Sequence, residues 1–296
     1  MSRPLASALE KLGRSAGMLP SSHFTEKEKQ ALNSFRQQTG IIEQVREGRG
    51  TRYVVKDRDS LMLHLTTWRP HEATDLETEL PPRTINIATA RDSKRGSHHH
   101  ETHYLLLKAA GNQVCWAGTE GQSLDLSRQT QQSGAGAIAI HASDAWQTAS
   151  PLWLVENQAM FDRMDWLPKG TEASVCLYQG QLHGLLLKWL QTRQRAPEVI
   201  LFPDYDGVGL LNYARLLEHC QSPCQFWLMS DWESLLTTYG NPDIWNRPKN
   251  LEDFHNAKRR LASQPAANTL LPLMNTMQTK GLALEQEVLW LQPLCP

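Results

Sequence analysis

Four short apolar runs in the second half of this 296-residue chain, three of them handing over to a helical pattern, constrain its fold more than any other feature. They read Pro151-Leu-Trp-Leu-Val155, Ser174-Val-Cys-Leu-Tyr178, Glu198-Val-Ile-Leu-Phe-Pro203 and Gln225-Phe-Trp-Leu-Met-Ser230. The first three lead into residues 158–164, 181–191 and 207–218, whose apolar positions recur at helical spacing. Buried strands alternating with helices at this interval predict an α/β fold with a mostly parallel sheet and crossover helices. Open sheets of this kind place their ligands at the carboxyl ends of the strands. Acids stand at two of those ends: Glu156 after the first run, and Asp204 and Asp206 after the third.

Asp204 and Asp206 are two apart in an extended segment, so their side chains share a face. Two carboxylates on one face repel unless a proton or cation lies between them, and a hard divalent ion such as Mg2+ prefers oxygen ligands. The plainer account is that Asp and Gly after a strand form turns and that Asp caps helices. The repetition of a strand-end acid at Glu156 favours the cation.

A glutamate closing the first strand, Gly180 closing the second and Asp204-Tyr-Asp-Gly closing the third together resemble a Toprim domain, from about Leu152 to the end. Toprim is the metal-binding α/β module of topoisomerases, bacterial primases and certain nucleases. Within it, Val155-Glu-Asn157, Asp204-Tyr-Asp-Gly-Val-Gly-Leu210 and the tail Gly281-Leu-Ala-Leu-Glu-Gln-Glu-Val-Leu289 are similar to the JetD (MksG) subunits of Wadjet systems, condensin-like plasmid-defence machines. The resemblance implies a Mg2+- or Mn2+-dependent DNA endonuclease, with two ions held by Glu156, Asp204, Asp206 and the tail acids Glu285 and Glu287. On a helical tail those two acids face different ways, so one reaches the site, and Glu285 is the expected one. Two-metal nucleases use such sites to activate water and neutralise the phosphate; Glu156 is either a ligand or a general base.

The remainder of the chain is read as residues 1–75, 76–148 and 149–296, the last being the catalytic domain. Leu5–Leu12 predicts a helix, and Thr25 with Glu28 forms a capping-box signal opening a second. Ile41–Arg46 and Thr51–Lys56 predict a hairpin around Glu47-Gly-Arg-Gly50, and residues 58–68 another helix. Helices followed by a basic hairpin resemble a winged helix, with Arg46, Arg49, Arg52, Lys56 and Arg58 on the wing, set either against DNA phosphates or simply in solvent. Residues 76–148 read as a middle or linker region. Thr84–Thr89, Tyr104–Lys108 and Gln113–Ala117 are expected strands, residues 128–136 a linker, and Arg91, Lys94 and Arg95 a backbone contact to DNA. The run His98-His-His-Glu-Thr-His103 is either a transition-metal ligand set or a polar loop.

Composition narrows the rest. The net charge of -1 does not indicate a chain coated in DNA-binding charge, although a local basic face suffices for phosphate contacts. Five cysteines without a second close pair fit free thiols in a cytoplasmic protein better than zinc. No apolar stretch approaches the roughly 20 residues needed to span a bilayer, and residues 1–12 lack a secretory apolar core. Trp153, Trp166, Trp189, Trp227 and Trp290 fall in apolar runs and read as packing residues. No Gly-x-x-x-x-Gly-Lys-Ser/Thr loop is present, so the resemblance implies that an SMC-type, condensin-like ATPase complex is a separate partner. Double-stranded DNA is the expected substrate, and a homodimer would let two sites cut two strands. Two other readings stay open: a topoisomerase-A-like transesterase using Tyr53, and a non-catalytic DNA-binding scaffold.

Overall fold

The computed structural model describes residues 2–48, 50–68, 80–90, 101–119 and 121–291. Arg49, Arg91, Lys94, Arg95, His98–His100 and Cys295 lie outside them. The chain divides into two compact units, residues 1–99 and 100–296.

In the first unit, α1 (Arg3–Arg14), β1 (Met18–Pro20), α2 (Glu26–Thr39), the hairpin β2 (Ile42–Glu47) and β3 (Gly50–Val55), and α3 (Arg58–Trp68) surround a small core. β3 is the central strand of the sheet β1-β3-β2, antiparallel on both sides. Leu9 and Leu12 of α1, Leu32 and Phe35 of α2, Tyr53 of β3 and Leu61 of α3 fill the core. Residues 82–90, where a strand was expected, form α4 (Pro82–Ala90) instead. The alternating Ile85 and Ile87 imitate a strand, but proline is at home in a helix's first turn.

The capping box at Thr25 is formed and has been extended into the core. Glu28 is 6% exposed and accepts hydrogen bonds from the Thr25 amide (2.8 Å), Ser7 Oγ (2.8 Å) and Lys11 Nζ (2.9 Å). Burial alone would raise this carboxyl, but the Lys11 ammonium, the Thr25 amide and the Ser7 hydroxyl together hold it down at about 2. A depressed carboxylate stabilises the fold above its unfolded pKa, and that stability is lost as pH falls through the folded value. The first unit should therefore lose about 2 kcal/mol between roughly pH 5 and pH 2 through this group alone. Thermal unfolding of Glu28→Gln beside wild type checks this: the gap in Tm should be widest at neutral pH and close near pH 2. A gap independent of pH would refute the assignment.

Within the second unit, β4 (His103–Ala110), β5 (Cys115–Ala117), β6 (Ser123–Asp125), α5 (Leu126–Ser133), β7 (Gly136–Ile140) and β8 (Gln147–Thr148) precede β9 (Leu152–Val155). Two strands of the stretch read as a middle or linker region, β4 and β7, join the main sheet. The segment read as a linker around residue 130 is α5. Its Asp125 cap accepts from the Arg128 amide (2.9 Å), and Gly134 ends it in the left-handed region; the polar composition of residues 128–133 hid a surface helix. Then come α6 (Gln158–Asp162), β10 (Ala173–Leu177), α7 (Gly184–Thr192), β11 (Val199–Phe202), α8 (Gly207–His219), β12 (Cys224–Phe226), α9 (Trp232–Tyr239), α10 (Pro242–Trp245), α11 (Pro248–Leu261) and α12 (Leu271–Lys280).

The result is a mixed α/β fold on a mostly parallel six-stranded sheet, ordered β12-β11-β9-β10-β4-β7. β12, β11, β9 and β10 are mutually parallel; β4 and β7 add two antiparallel strands beyond β10. β5, β6 and β8 form a separate small sheet. Every residue of β9 and β11 is buried, as a strand covered on both faces requires. The indole rings of Trp153, Trp166 and Trp227 meet at centroid distances of 5.3–5.8 Å and Trp189 is fully buried, so these tryptophans pack. Among the described residues, no helix is long and apolar enough to cross a membrane.

The strand order matters for function. From β9 the chain crosses to β10 on one side, then returns to β11 on the other. In open sheets such a reversal is where ligands bind, here at the carboxyl ends of β9 and β11.

Candidate functional site

Glu156 follows directly on β9, and Asp204 lies two residues beyond β11, with Val155 paired to Phe202 in the sheet. The Asp204 amide donates to Glu156 Oε2 (3.3 Å), so the two strand-end acids are in contact. Asp206 caps α8 by accepting from the Gly209 amide (2.8 Å). The capping duty foreseen for such an aspartate is real, and it coexists with membership of an acidic cluster.

The tail supplies the fourth acid, and it is Glu287 rather than Glu285. The tail was expected to be helical, but after α12 it runs extended: Tyr205 and Leu284 exchange backbone hydrogen bonds (2.7 and 3.0 Å), and Asn241 bridges Ala283. A 3-10 turn, Gln286–Leu291, follows. Leu284 and Gln286 therefore point inward and Glu285 outward into solvent. Glu287, one step into the turn, accepts from Asn157 Nδ2 (3.1 Å).

Residues other than the acids themselves hold them in place. Asn157 begins α6 yet its side chain forms no cap; it donates instead to Asp204 Oδ1 (3.1 Å) as well as to Glu287. Gln286, 1% exposed, fastens three elements: its amide donates to Asp204 Oδ1 (2.9 Å), its Oε1 accepts from the Asn157 amide (3.0 Å), and its Nε2 donates to the Phe202 carbonyl. Tyr178, at the end of β10, donates its hydroxyl to Glu156 Oε2 (3.1 Å). Gly180 takes φ of +67°, which favours glycine, and its carbonyl accepts from Asn212 of α8 (2.8 Å). Gly207 is required for a second reason, since a Cβ there would collide with the backbone of Asn250 and Phe254 in α11. That close approach brings in Asp253, a fifth acid, 1% exposed, whose Oδ1 accepts from Lys249 (2.7 Å) while its Oδ2 has no hydrogen-bond partner. No local sequence pattern announces Asp253, because its relevance depends on how α11 packs on α8.

The electrostatics follow from this crowding. Burial, then the charge of Asp206, raises the Glu156 carboxyl to about 7. Burial, then Glu156, raises Asp204 to about 8. Asp206 is raised too, first by burial; the Gly209 and Val208 amides oppose the shift, Asp253 adds to it and Arg247 opposes it. Burial and Glu156 keep Tyr178 a phenol, hence a donor.

Among the described residues, no three His, Cys, Asp or Glu side chains converge as a finished cage for an ion. The donor chemistry nevertheless fits a hard cation. The groups are all carboxylates, none of Glu156, Asp204, Asp206 and Glu287 is salt-bridged to a lysine or arginine among the described residues, and a buried oxygen of Asp253 is left without a partner.

The expected DNA-binding residues are placed differently. Arg46 is exposed, whereas Arg52 pairs with Glu47 and Lys56 with Glu43, both at 3.0 Å, and Arg58 reaches the Gly13 carbonyl (3.4 Å). Of the histidine run only His103 is described; it stacks on His183 with centroids 4.4 Å apart.

A family model described as "Domain of unknown function (DUF7281)" matches residues 104–293, more than half of the chain and nearly all of the second unit. The chain belongs to the DUF7281 family. Neither a Toprim nor a JetD family model matches, and no curated protein matches the chain. The DUF7281 region therefore contains the whole acidic cluster, from Glu156 to Glu287, and excludes the first unit.

Proposed function

We propose that the chain is a Mg2+-dependent DNA endonuclease, a Toprim-like hydrolase that works as the cutting subunit of a condensin-like, Wadjet-type defence complex. One observation carries the reading: Glu156, Asp204 and Glu287, from three distant stretches of the chain, are linked by hydrogen bonds at the carboxyl ends of β9 and β11, with Asp206 two residues beyond Asp204. Asp204, Asp206 and Glu287 would hold the cation, with the charge of Asp253 on α11 felt at Asp206. Bound there, Mg2+ would offset their charge and act as a Lewis acid toward a phosphoryl oxygen. Glu156, with its carboxyl near neutrality and its Oε2 held by Tyr178 and the Asp204 amide, takes a proton from the attacking water. Gln286 and Asn157 fix the angle between Asp204 and Glu287, so docking of the tail completes the site.

The first unit reads as winged-helix-like, from its order of helix, strand, short 3-10 turn, helix and hairpin, and supplies a grip on duplex DNA. The condensin-like ATPase partner rests on the similarity of the strand-end and tail motifs. Hydrolysis is favoured over transesterification because Tyr53 is 1% exposed, with its hydroxyl against Asn33 (3.3 Å) and its ring edge-on to Phe24. A nucleophile must reach phosphorus.

A supercoiled-plasmid assay with Mg2+ or Mn2+, run with the products of neighbouring condensin-like genes, tests the reading. Glu287→Gln should slow cutting by at least roughly 100-fold, while Glu285→Gln stays within about threefold of wild type. Equal loss in both variants would reject this use of the tail, and an inert wild type under every condition would reject the nuclease.

A further inference from the structure

We propose that Arg247 contacts the phosphate of the nucleic acid bound at the acidic crevice, acting as the electrophilic partner of the carboxylates. The inference rests on the nuclease reading and adds a residue that no strand-end motif contains.

The corner between α10 and α11 is tied to the residue following Asp206. Asn250 Oδ1 accepts from the Gly207 amide (2.6 Å), and the same side chain donates through Nδ2 to the Trp245 carbonyl (3.0 Å). Arg247 lies inside the loop closed by the bond from Asn250 to Trp245 and directly precedes α11; the Leu251 amide returns to its carbonyl (3.1 Å). Its loop is thus tied through Asn250 to the turn after Asp206, and the glycine at 207 permits the approach of Asn250 and Phe254. The side chain, by contrast, is exposed, and among the described residues it pairs with no carboxylate. Its neighbours on α11 differ: Lys249 is committed to Asp253 and Arg260 to Glu218. The charge of Arg247 reaches Asp206 without forming a salt bridge to it.

An arginine whose loop is tied to the Asp206 turn, and whose exposed guanidinium pairs with no carboxylate among the described residues, is available to a ligand at that turn. A carboxylate crevice alone repels the phosphodiester it must cut. A guanidinium at the rim offers two parallel donors to the non-bridging oxygens and stabilises the charge that grows on them as water attacks. Lysine would supply the charge without the fork.

The test uses the full chain with Arg247→Ala and Arg247→Lys, read three ways. Binding to a fluorescent duplex in Ca2+ should weaken about three- to tenfold in Arg247→Ala, with the salt slope falling by roughly one ion. Single-turnover cleavage in Mg2+ should fall at least about 100-fold, and Arg247→Lys should recover the binding but only part of the rate. The rise in Tm on adding Mg2+ should match wild type in both variants. Binding and cleavage unchanged in Arg247→Ala overturn the proposal; so does a loss of cleavage accompanied by loss of the Mg2+ shift, since the residue would then be serving the cation site. A wild type that never cuts rejects the nuclease reading alone. The binding arm then decides on Arg247: an unchanged affinity and salt slope overturn the contact, and a fall in both sustains it.

Discussion

Asp204→Asn is expected to abolish cutting while making the metal-free protein more stable. The activity loss should be on the order of 1,000-fold or more, because an amide keeps the acceptor for Gln286 and Asn157 but removes the negative charge that a cation needs. The stability gain follows from the raised carboxyl. Its folded-state value near 8 lies above the ordinary aspartate value, so the folded protein resists an ionisation that the unfolded chain accepts. Stability is therefore lost as pH rises from about 4 toward 8. Asparagine has nothing to ionise, so the variant's advantage should be absent near pH 4 and grow to about 1–3 kcal/mol by pH 8. Mg2+ should reverse the ranking by raising the Tm of wild type only. Urea unfolding of both proteins at pH 4, 6 and 8 measures the stability gain, thermal unfolding with and without Mg2+ the change of ranking, and plasmid cleavage the loss of activity. A destabilised variant at pH 8 would mean that the Asp204 charge is compensated within the protein, and the argument for a cation there would fall.

The second large effect concerns the fold. Arg195→Ala should cost about 3–5 kcal/mol, because Arg195 is the largest charged group in the core of the second unit. At 1% exposure, it donates to the carbonyls of Asp144 (2.7 Å), Trp146 (3.1 Å) and Trp189 (3.0 Å) and to Thr192 Oγ1 (2.7 Å), and its guanidinium lies 4.3 Å from the Trp189 ring. Burial lowers its pKa to about 10, which still leaves it charged at neutral pH. Asp144, 3.5 Å away, also accepts from Trp189 Nε1 (2.7 Å), so one guanidinium organises the junction of β8, α7 and the 141–146 loop. Removing it leaves the Asp144 and Trp146 carbonyls without their donor and takes the countercharge from the Asp144 carboxylate. A fall in Tm of roughly 10 °C is expected, and Arg195→Lys should rescue little of it for want of the planar fork. A loss below about 1 kcal/mol would show that water replaces the arginine at this junction.

The site was partly legible because some of its determinants are local. A strand buried on both faces must be continuously apolar, so β9 and β11 declared themselves, and the residue after such a run stands at the sheet edge. Glu156, Asp204 and Asp206 could be placed by that reasoning. Local pattern misled where two structures share a signature: Ile85 and Ile87 alternate within a helix, and the polar residues of α5 pass for a linker. It failed for the tail, where a helical reading chose Glu285 over Glu287 and the extended run at Leu284 reversed the choice.

The sequence alone determined the alternation of buried strands and helices and the acids at the strand ends, since periodicity and burial are properties of neighbouring residues. Only the tertiary structure decided which tail acid turns toward Asn157, that Tyr178, Asn157 and Gln286 brace the strand-end acids, and that α11 packs Asn250 and Phe254 against Gly207. Those contacts join residues as far apart as Asn157 and Glu287, separated by 130 positions, and depend on the register of one element against another. A shift of one residue in that register turns an inward side chain outward, so no window of sequence encodes them.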